Sequence, residues 1–327
     1  MNEKDFLISV CVPVYCVEQF IERCARSLFG QSYDNLEFVF VDDCSKDKSI
    51  DVIYRVIIDY PHRKDSVKVV KHQVNRGVAA ARNSAVDNAN GEFIYWADAD
   101  DYIEKDTIEK LVNKQKLTGA DILTSNYRED WGGYKKTVEI KHSDNQEEWL
   151  NMILSRETQI MTWGRMVRTS LYKDYKIRAI EGCNMGEDFQ LIPRLFYYSK
   201  KLAFVDEYLY NYYRANELAY SFSFSEEKVN QILKGLDFIK EFFNDKDENL
   251  KMSLNIGEAR MLAMYTVSSV RDNNKDFYHT LRNRMNTIPY STIRQLRLSE
   301  RMVFLLKPYS ILRLYCNLGH LFLSFGK

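Results

Sequence analysis

The sequence predicts an α/β protein: a doubly wound, mostly parallel sheet followed by a helical C-terminal extension. Short apolar runs alternate with amphipathic stretches over roughly the first 125 residues. The apolar runs are nearly continuous, as in strands covered on both faces. From residue 225 to about 290 the spacing is amphipathic and carries no strong strand signal.

Residues 7–14 form the first predicted strand, and 17–29 a helix with Phe20, Ile21, Cys24 and Leu28 on one face. Strand and helix then alternate at 36–41, 49–60, 67–70, 78–89, 92–96, 107–118 and 121–125. Such alternation calls for right-handed crossovers between parallel strands. Beyond residue 128 the order is less regular. Trp131-Gly132-Gly133-Tyr134 marks a hairpin turn, and helices are expected at 145–154 and 187–198.

Lys plus Arg and Asp plus Glu each number 46, so the net charge is zero and no global field draws the chain to nucleic acid. The six cysteines include no Cys-x-x-Cys pair, and the five histidines are scattered. This is the pattern of free thiols in a reducing compartment, without a zinc cluster. The polar N-terminus has no secretory signature, which leads to a cytoplasmic expectation.

Acidic residues gather at two predicted strand ends, Asp42-Asp43 and Asp98-Ala99-Asp100-Asp101. Ligands of open α/β sheets bind outside the carboxyl ends of the strands. Carboxylates crowded there repel one another unless cations or donors balance them. Alternate aspartates in a turn suit a hard cation, Mn²⁺ or Mg²⁺, which in turn suits a diphosphate. A bland reading stands beside this one, in which Asp101 or Asp106 caps the next helix. There is no Gly-x-Gly-x-x-Gly after the first strand and no Gly-Lys-Ser/Thr loop, which disfavours dinucleotide oxidoreductases and P-loop enzymes. Asp101 directly after the second aspartate disfavours an aspartyl-phosphate phosphatase.

Five motifs in order carry a family resemblance: Val12-Pro13-Val14-Tyr15, Val41-Asp42-Asp43-Cys44-Ser45, Asn75-Arg76-Gly77 through Ala81-Arg82-Asn83, Asp98-Ala99-Asp100, and Gly186-Glu187-Asp188. The chain resembles, over about residues 6–215, the inverting family 2 glycosyltransferases of bacterial surface-polysaccharide assembly, which have a GT-A fold. The resemblance implies a GT-A domain at 1–220 and a helical region at 221–327. It implies transfer of a sugar from a nucleotide-diphosphate sugar, UDP-linked, to a hydroxyl of a glycan or lipid-linked acceptor. Pro13, Tyr15, Asp42, Asp43, Arg82 and Asp98 fall to the donor, Asp100 to the metal, Trp163 and Glu187 to the acceptor, and Asp188 to the general base.

Cys16 and Cys44 stand where the family has Asn and Gly. Cys44 therefore has to leave the glycine conformation or carry strain. These two departures support the alternative of a non-catalytic sugar-nucleotide-binding protein on the same fold. A nucleotidyltransferase would want a Gly-rich, Arg-containing loop at 13–19, which is absent.

Residues 294–327 combine Arg294, Arg297, Arg301, Lys307 and Arg313 with many Leu, Phe and Tyr, and Glu300 is the only acid. The charge-free run after Arg313 is about 13 residues, short of the roughly 20 that span a bilayer. Such a segment fits peripheral contact with the inner face of the cell membrane, or a helix packed on the catalytic domain.

Overall fold

A computed structural model of the chain describes residues 5–217, 219–220 and 225–318. Residues 319–327, the end of the proposed interfacial segment, lie outside it.

The first half follows the predicted alternation: β1 (Ile8–Val14), α1 (Ile21–Phe29), β2 (Leu36–Asp42), α2 (Ser49–Ile57), a 3-10 turn (Pro61–Ser66), β3 (Val67–Lys71), α3 (Val78–Asn88) and β4 (Phe93–Trp96). The two-residue β5 (Tyr102–Ile103) precedes α4 (Thr107–Thr118), β6 (Ile122–Asp130), β7 (Lys135–Val138) and α5 (Gln146–Leu154). Then come β8 (Met166–Arg168), α6 (Thr169–Asp174), α7 (Glu187–Tyr198) and β9 (Leu202–Tyr213). Helices α8 (Glu226–Phe242), α9 (Glu248–Arg271), α10 (Lys275–Met285), α11 (Tyr290–Ile293), α12 (Leu298–Leu305) and α13 (Tyr309–Leu318) complete the described chain.

The strands form one sheet in the order β3-β2-β1-β4-β8-β6-β9-β5, with β7 paired to β6. The expected turn at 131–134 joins β6 and β7, closed by Trp131 N–H donating to Tyr134 O at 3.0 Å. β8 is antiparallel to both β4 and β6. It therefore restores the direction of its neighbours, and β1–β4, β6 and β9 all point the same way. β8 has only three residues and β5 only two, too short for a two-residue period to show in sequence. The register sets Val14 beside Asp42 and Cys11 beside Trp96, so the first three motifs and Asp98-Ala99-Asp100 emerge at one edge.

Two apolar layers sandwich the sheet. One face carries α1, α2 and α4, through Leu28, Phe29, Ile53 and Leu111. The opposite face carries α3, α5 and α7, and its core runs on without a break into α8, α9, α10, α12 and α13. Helix α9 is buried nearly all round, and its Glu258 is held by Lys240 at 2.6 Å and Arg284 at 2.8 Å. Gly257 sits where α9 crosses the end of α5: a Cβ built there would lie 2.0 Å from the Leu154 carbonyl oxygen.

Gly to Ala inside a helix ordinarily gains about 0.5–1 kcal/mol. At Gly257 the close approach reverses the sign, and Gly257→Ala is expected to lose about 1–3 kcal/mol to overpacking. A higher urea midpoint for the variant would contradict this crossing of α5 and α9.

Candidate active site

The carboxyl end of β2 delivers Asp43 into a tight set of donors. Its Oδ1 accepts from Arg76 N–H at 2.8 Å and from His72 Nδ1 at 2.7 Å, and its Oδ2 accepts from Gly77 N–H at 2.7 Å. Because the carboxylate accepts, the His72 proton sits on Nδ1, and Nε2 faces the Ser84 hydroxyl at 2.8 Å. A carboxylate offers about four lone-pair sites, so three donors leave one site on Oδ2. Gly77 opens α3 at φ 87°, and a Cβ there would come within 2.1 Å of the Asn184 side-chain amide. Only glycine allows this closure.

Asp42 behaves differently: its Oδ1 accepts from Ser45 N–H at 2.8 Å, and the side chain does not line the cleft that Asp43 faces. Cys16 and Cys44 have φ of 51° and 64°. Cys44 thus keeps a left-handed backbone and carries its strain, on the order of 1–2 kcal/mol. Cys16 N–H donates to Ser45 Oγ at 3.2 Å, which ties the two departures into one turn. All six cysteines are free thiols.

At the end of β4 the three aspartates divide their work. Asp101 is fully buried and accepts from Tyr210 O–H at 2.6 Å and Tyr213 N–H at 2.7 Å. It anchors the turn to β9 and does not cap a helix. Arg23 lies over the rings of Tyr102 and Tyr213, and its Nη2 donates to Asp100 O at 3.0 Å. With the turn held from beneath, Asp98 and Asp100 face the cleft. Asp98 Oδ1 takes Arg82 Nη2 at 2.9 Å, and Asp100 Oδ2 takes Asn216 Nδ2 at 2.7 Å. Burial, then the charge of Asp98, raises the Asp100 carboxyl above its usual range.

A hard divalent cation would relieve that pressure, so the oxygen donors present fit one. Among the described residues no cluster of three or more His, Cys, Asp or Glu is spaced to hold a metal. Any such ion would have to draw its remaining ligands from water and a bound diphosphate.

The third component is the N-terminus of α7, where the chain turns through Gly186. Arg82, from α3, donates through Nε to Glu187 at 3.3 Å while Nη2 holds Asp98. Its Nη1 is shielded from solvent and has no protein partner. Asp188 Oδ1 accepts from Thr162 N–H at 3.0 Å and from the Thr162 hydroxyl. Burial raises both acids, and Glu187, pressed also by Asp188, is pushed up to about 8. Trp163 lines the cleft but is mostly buried; Tyr210 stacks on it at 4.4 Å and Tyr127 meets it edge-on.

These groups share one cleft of about 710 Å³. Pro13, Tyr15, Asp43, Arg82, Asp98, Asp100, Trp163, Glu187 and Asp188 all border it, and only Asp42 of the predicted set does not. Sequence reasoning did not single out His72, Thr162, Asn184, Asn216 or Arg23. Each acts from a separate segment and has no local motif.

An α/β sheet with paired acids at its carboxyl edge and a further acid pair across the cleft belongs to the class of open-sheet proteins whose ligand site lies outside the strand ends. Residues 9–181 match the model of glycosyl transferase family 2, and the chain belongs to that family. It is 30% identical over 220 residues to glycosyltransferase GlyA of Streptococcus pneumoniae, which covers 64% of this chain and 30% of GlyA. The chain spans 60% of the length of two further curated relatives from Bacillus subtilis. Its fold is similar to that of residues 1–349 of S. aureus TarS in complex with UDP-GlcNAc, with a TM-score of 0.71 at 18% identity, covering 96% of this chain and 91% of that one. It is also similar to the mannosyltransferase PcManGT of Pyrobaculum calidifontis in complex with GDP-Man and Mn²⁺, with a TM-score of 0.53 at 14% identity, covering 98% and 88%. The fold is thus of GT-A type with added C-terminal helices.

Glu187 gives a pH signature. Its folded value, about 8, lies above its ordinary value of 4.5. Between these the folded chain keeps a proton that the unfolded chain has released, so its contribution is full below about 4.5 and declines as pH rises toward 8. Urea midpoints of the ligand-free protein should therefore fall across that window, and Glu187→Gln should flatten the slope. An equal slope in the variant would place the titration elsewhere.

Proposed function

We propose that the chain is an inverting glycosyltransferase that moves a sugar from a UDP-linked donor to a hydroxyl of a glycan or lipid-linked acceptor. The observation that carries this reading is the shared cleft, in which Arg82 joins Asp98 on the donor side to Glu187, the neighbour of Asp188. Residues 1–220 would carry the chemistry and the helices from 221 onward would buttress α7.

In this reading Pro13, Tyr15 and the free lone pair of Asp43 Oδ2 receive the nucleoside. Asp100, with Asp98 beside it, would hold Mg²⁺ or Mn²⁺. When bound, that ion supplies Lewis-acid neutralisation of the diphosphate leaving group. Arg82 Nη1 is a spare donor for an oxygen of the bound donor. Asp188 takes the proton of the acceptor hydroxyl as its oxygen attacks the anomeric carbon, the bond to the diphosphate breaks, and the configuration inverts. Its raised value brings a carboxylate nearer neutrality, which favours base catalysis. Burial and the neighbouring Asp188 favour the protonated form of Glu187, which suits it to hydrogen bonding at the acceptor better than to taking a proton. The edge of Trp163 would border the acceptor sugar.

A panel of nucleotide sugars with Mn²⁺ or Mg²⁺, scored for nucleotide release with and without acceptors, tests the activity. No metal-dependent release from any donor would favour a sugar-nucleotide-binding protein instead. Asp188→Asn should leave UDP affinity within about twofold and lower transfer about 10²- to 10⁴-fold; retained transfer would remove the base assignment.

No helix of the described residues is long and apolar enough to cross a membrane. We place the chain's acceptor work at the inner face of the membrane, through α12 and α13. Val303, Phe304, Leu312 and Cys316 pack inward, whereas Leu298, Leu305, Ile311 and Leu314 are exposed. Arg294, Arg297, Lys307 and Arg313 are also exposed. Glu300, the only acid between 290 and 318, is buried and pairs with Arg260 at 3.7 Å. Exposed apolar side chains alternating along the chain with exposed cations suit anionic lipid. Leu305→Glu with Leu314→Glu should cut co-sedimentation with phosphatidylglycerol vesicles several-fold, and unchanged partitioning would discard the contact.

A further inference from the structure

One cation of the cleft is unbalanced. Arg156 follows α5 on a left-handed backbone, φ 58°, and borders the cleft. The guanidinium lies over the ring of Phe189 at 4.5 Å, and its Nε is shielded from solvent without a hydrogen-bond partner. Among the described residues no carboxylate forms an ion pair with it. Glu157, next in the chain, is taken by Lys141 and Arg260, each at 3.2 Å. The phenol of Tyr265 is the one titratable group whose field reaches it, and burial lowers its proton affinity. Arg82, the other arginine of the cleft, is paired with Asp98 at 2.9 Å and held by Glu187 at 3.3 Å.

A guanidinium nitrogen shut off from water without a partner, on a cation that no carboxylate pairs, is costly. The left-handed backbone closes the end of α5, where Arg156 N–H donates to Ile153 O at 3.1 Å and Glu157 N–H to Met152 O at 2.8 Å, so it is the unpaired cation at the cleft that marks a position built for a ligand. Its place identifies which ligand. Phe189, whose ring Arg156 covers, directly follows Asp188, so Arg156 lies on the Asp188 side of the cleft. Ile160, Met161, Met185 and Phe189 also line the cleft, so an unpaired arginine there suits an oxyanion whose carrier lays carbon against those walls.

We propose that Arg156 binds a phosphate oxyanion carried by the acceptor, so that this protein glycosylates a phosphate-bearing acceptor and not a neutral glycan. This rests on the transferase reading in assigning the Asp188 side to the acceptor. The phosphate has two possible sources with the same chemistry: a phosphodiester of a polyol-phosphate chain, or the diphosphate of a prenyl-linked glycan.

Calorimetric titrations of the full chain, saturated with UDP and Mg²⁺, would use three probes: tri(glycerol phosphate), farnesyl diphosphate and uncharged triglycerol. The wild type should bind at least one phosphate probe about tenfold more tightly than triglycerol, the change a lost charge-assisted hydrogen bond produces. Arg156→Gln should lose that preference, and Arg156→Lys should keep part of it. Preference for tri(glycerol phosphate) alone points to a polymer, and for farnesyl diphosphate alone to a lipid carrier. Equal preference in wild type and Arg156→Gln, or none in the wild type, would overturn the proposal. Loss of UDP affinity in Arg156→Gln would also overturn it, by moving Arg156 to the donor half. Failure of the wild type to bind UDP would count against the transferase reading, and the same titrations without UDP would still decide on Arg156.

Discussion

The site depends on one buried guanidinium. Arg82 is only 3% exposed and holds Asp98 and Glu187, residues that reach it from β4 and α7. Without a cation between them, the acids on the two sides of the cleft would raise one another's proton affinity and push the elements apart. With it, Asp98 and Glu187 share one guanidinium, which ties the two walls of the cleft together. The ring of Trp96, 5.3 Å below, offers its π face to the same guanidinium. A lysine would supply the charge without the fork that reaches both partners.

Around this strut each wall has its own anchor, and each anchor is tertiary. Asp101 ties the β4 turn to β9, Asn184 closes over Gly77, and Thr162 holds Asp188. The helices after β9 belong to the same structure, because α8 packs on α7, α9 packs on α5, and both join one core. A polar site on a mobile helix could not keep the acids of the two cleft walls in register. Here the helix N-terminus is clamped by a continuous apolar layer on one side and by Arg82 on the other.

The alternation of apolar runs was enough to read the parallel half of the sheet, because strands buried on both faces leave continuous apolar segments. β8 and β5 were illegible: they pair through backbone groups and are too short for any side-chain period. The acids of the cleft were legible as motifs at strand ends. Asp42 illustrates the limit, since it shares its motif with Asp43 yet turns its carboxylate onto Ser45. Neighbouring positions on a strand face opposite ways, and only the register decides which one meets the ligand. Arg156 was invisible for a related reason. An unpaired charge is defined by the absence of partners in space, which no local pattern encodes.

Cys16 and Cys44 bear on whether this arrangement is a working site or a remnant. Left-handed cysteine at both positions costs more than Asn or Gly would, and a site released from function would be free to relax. The turn instead keeps its left-handed geometry, with Ser45 bonded to both Cys16 and Asp42. Asp43 behind it retains three donors aimed at its carboxylate. Backbone strain maintained next to a carboxylate with three donors is the signature of a functional edge, since the conformation and not the side chain shapes the loop. The substitutions thus change the thiol content of the edge while leaving its shape in place.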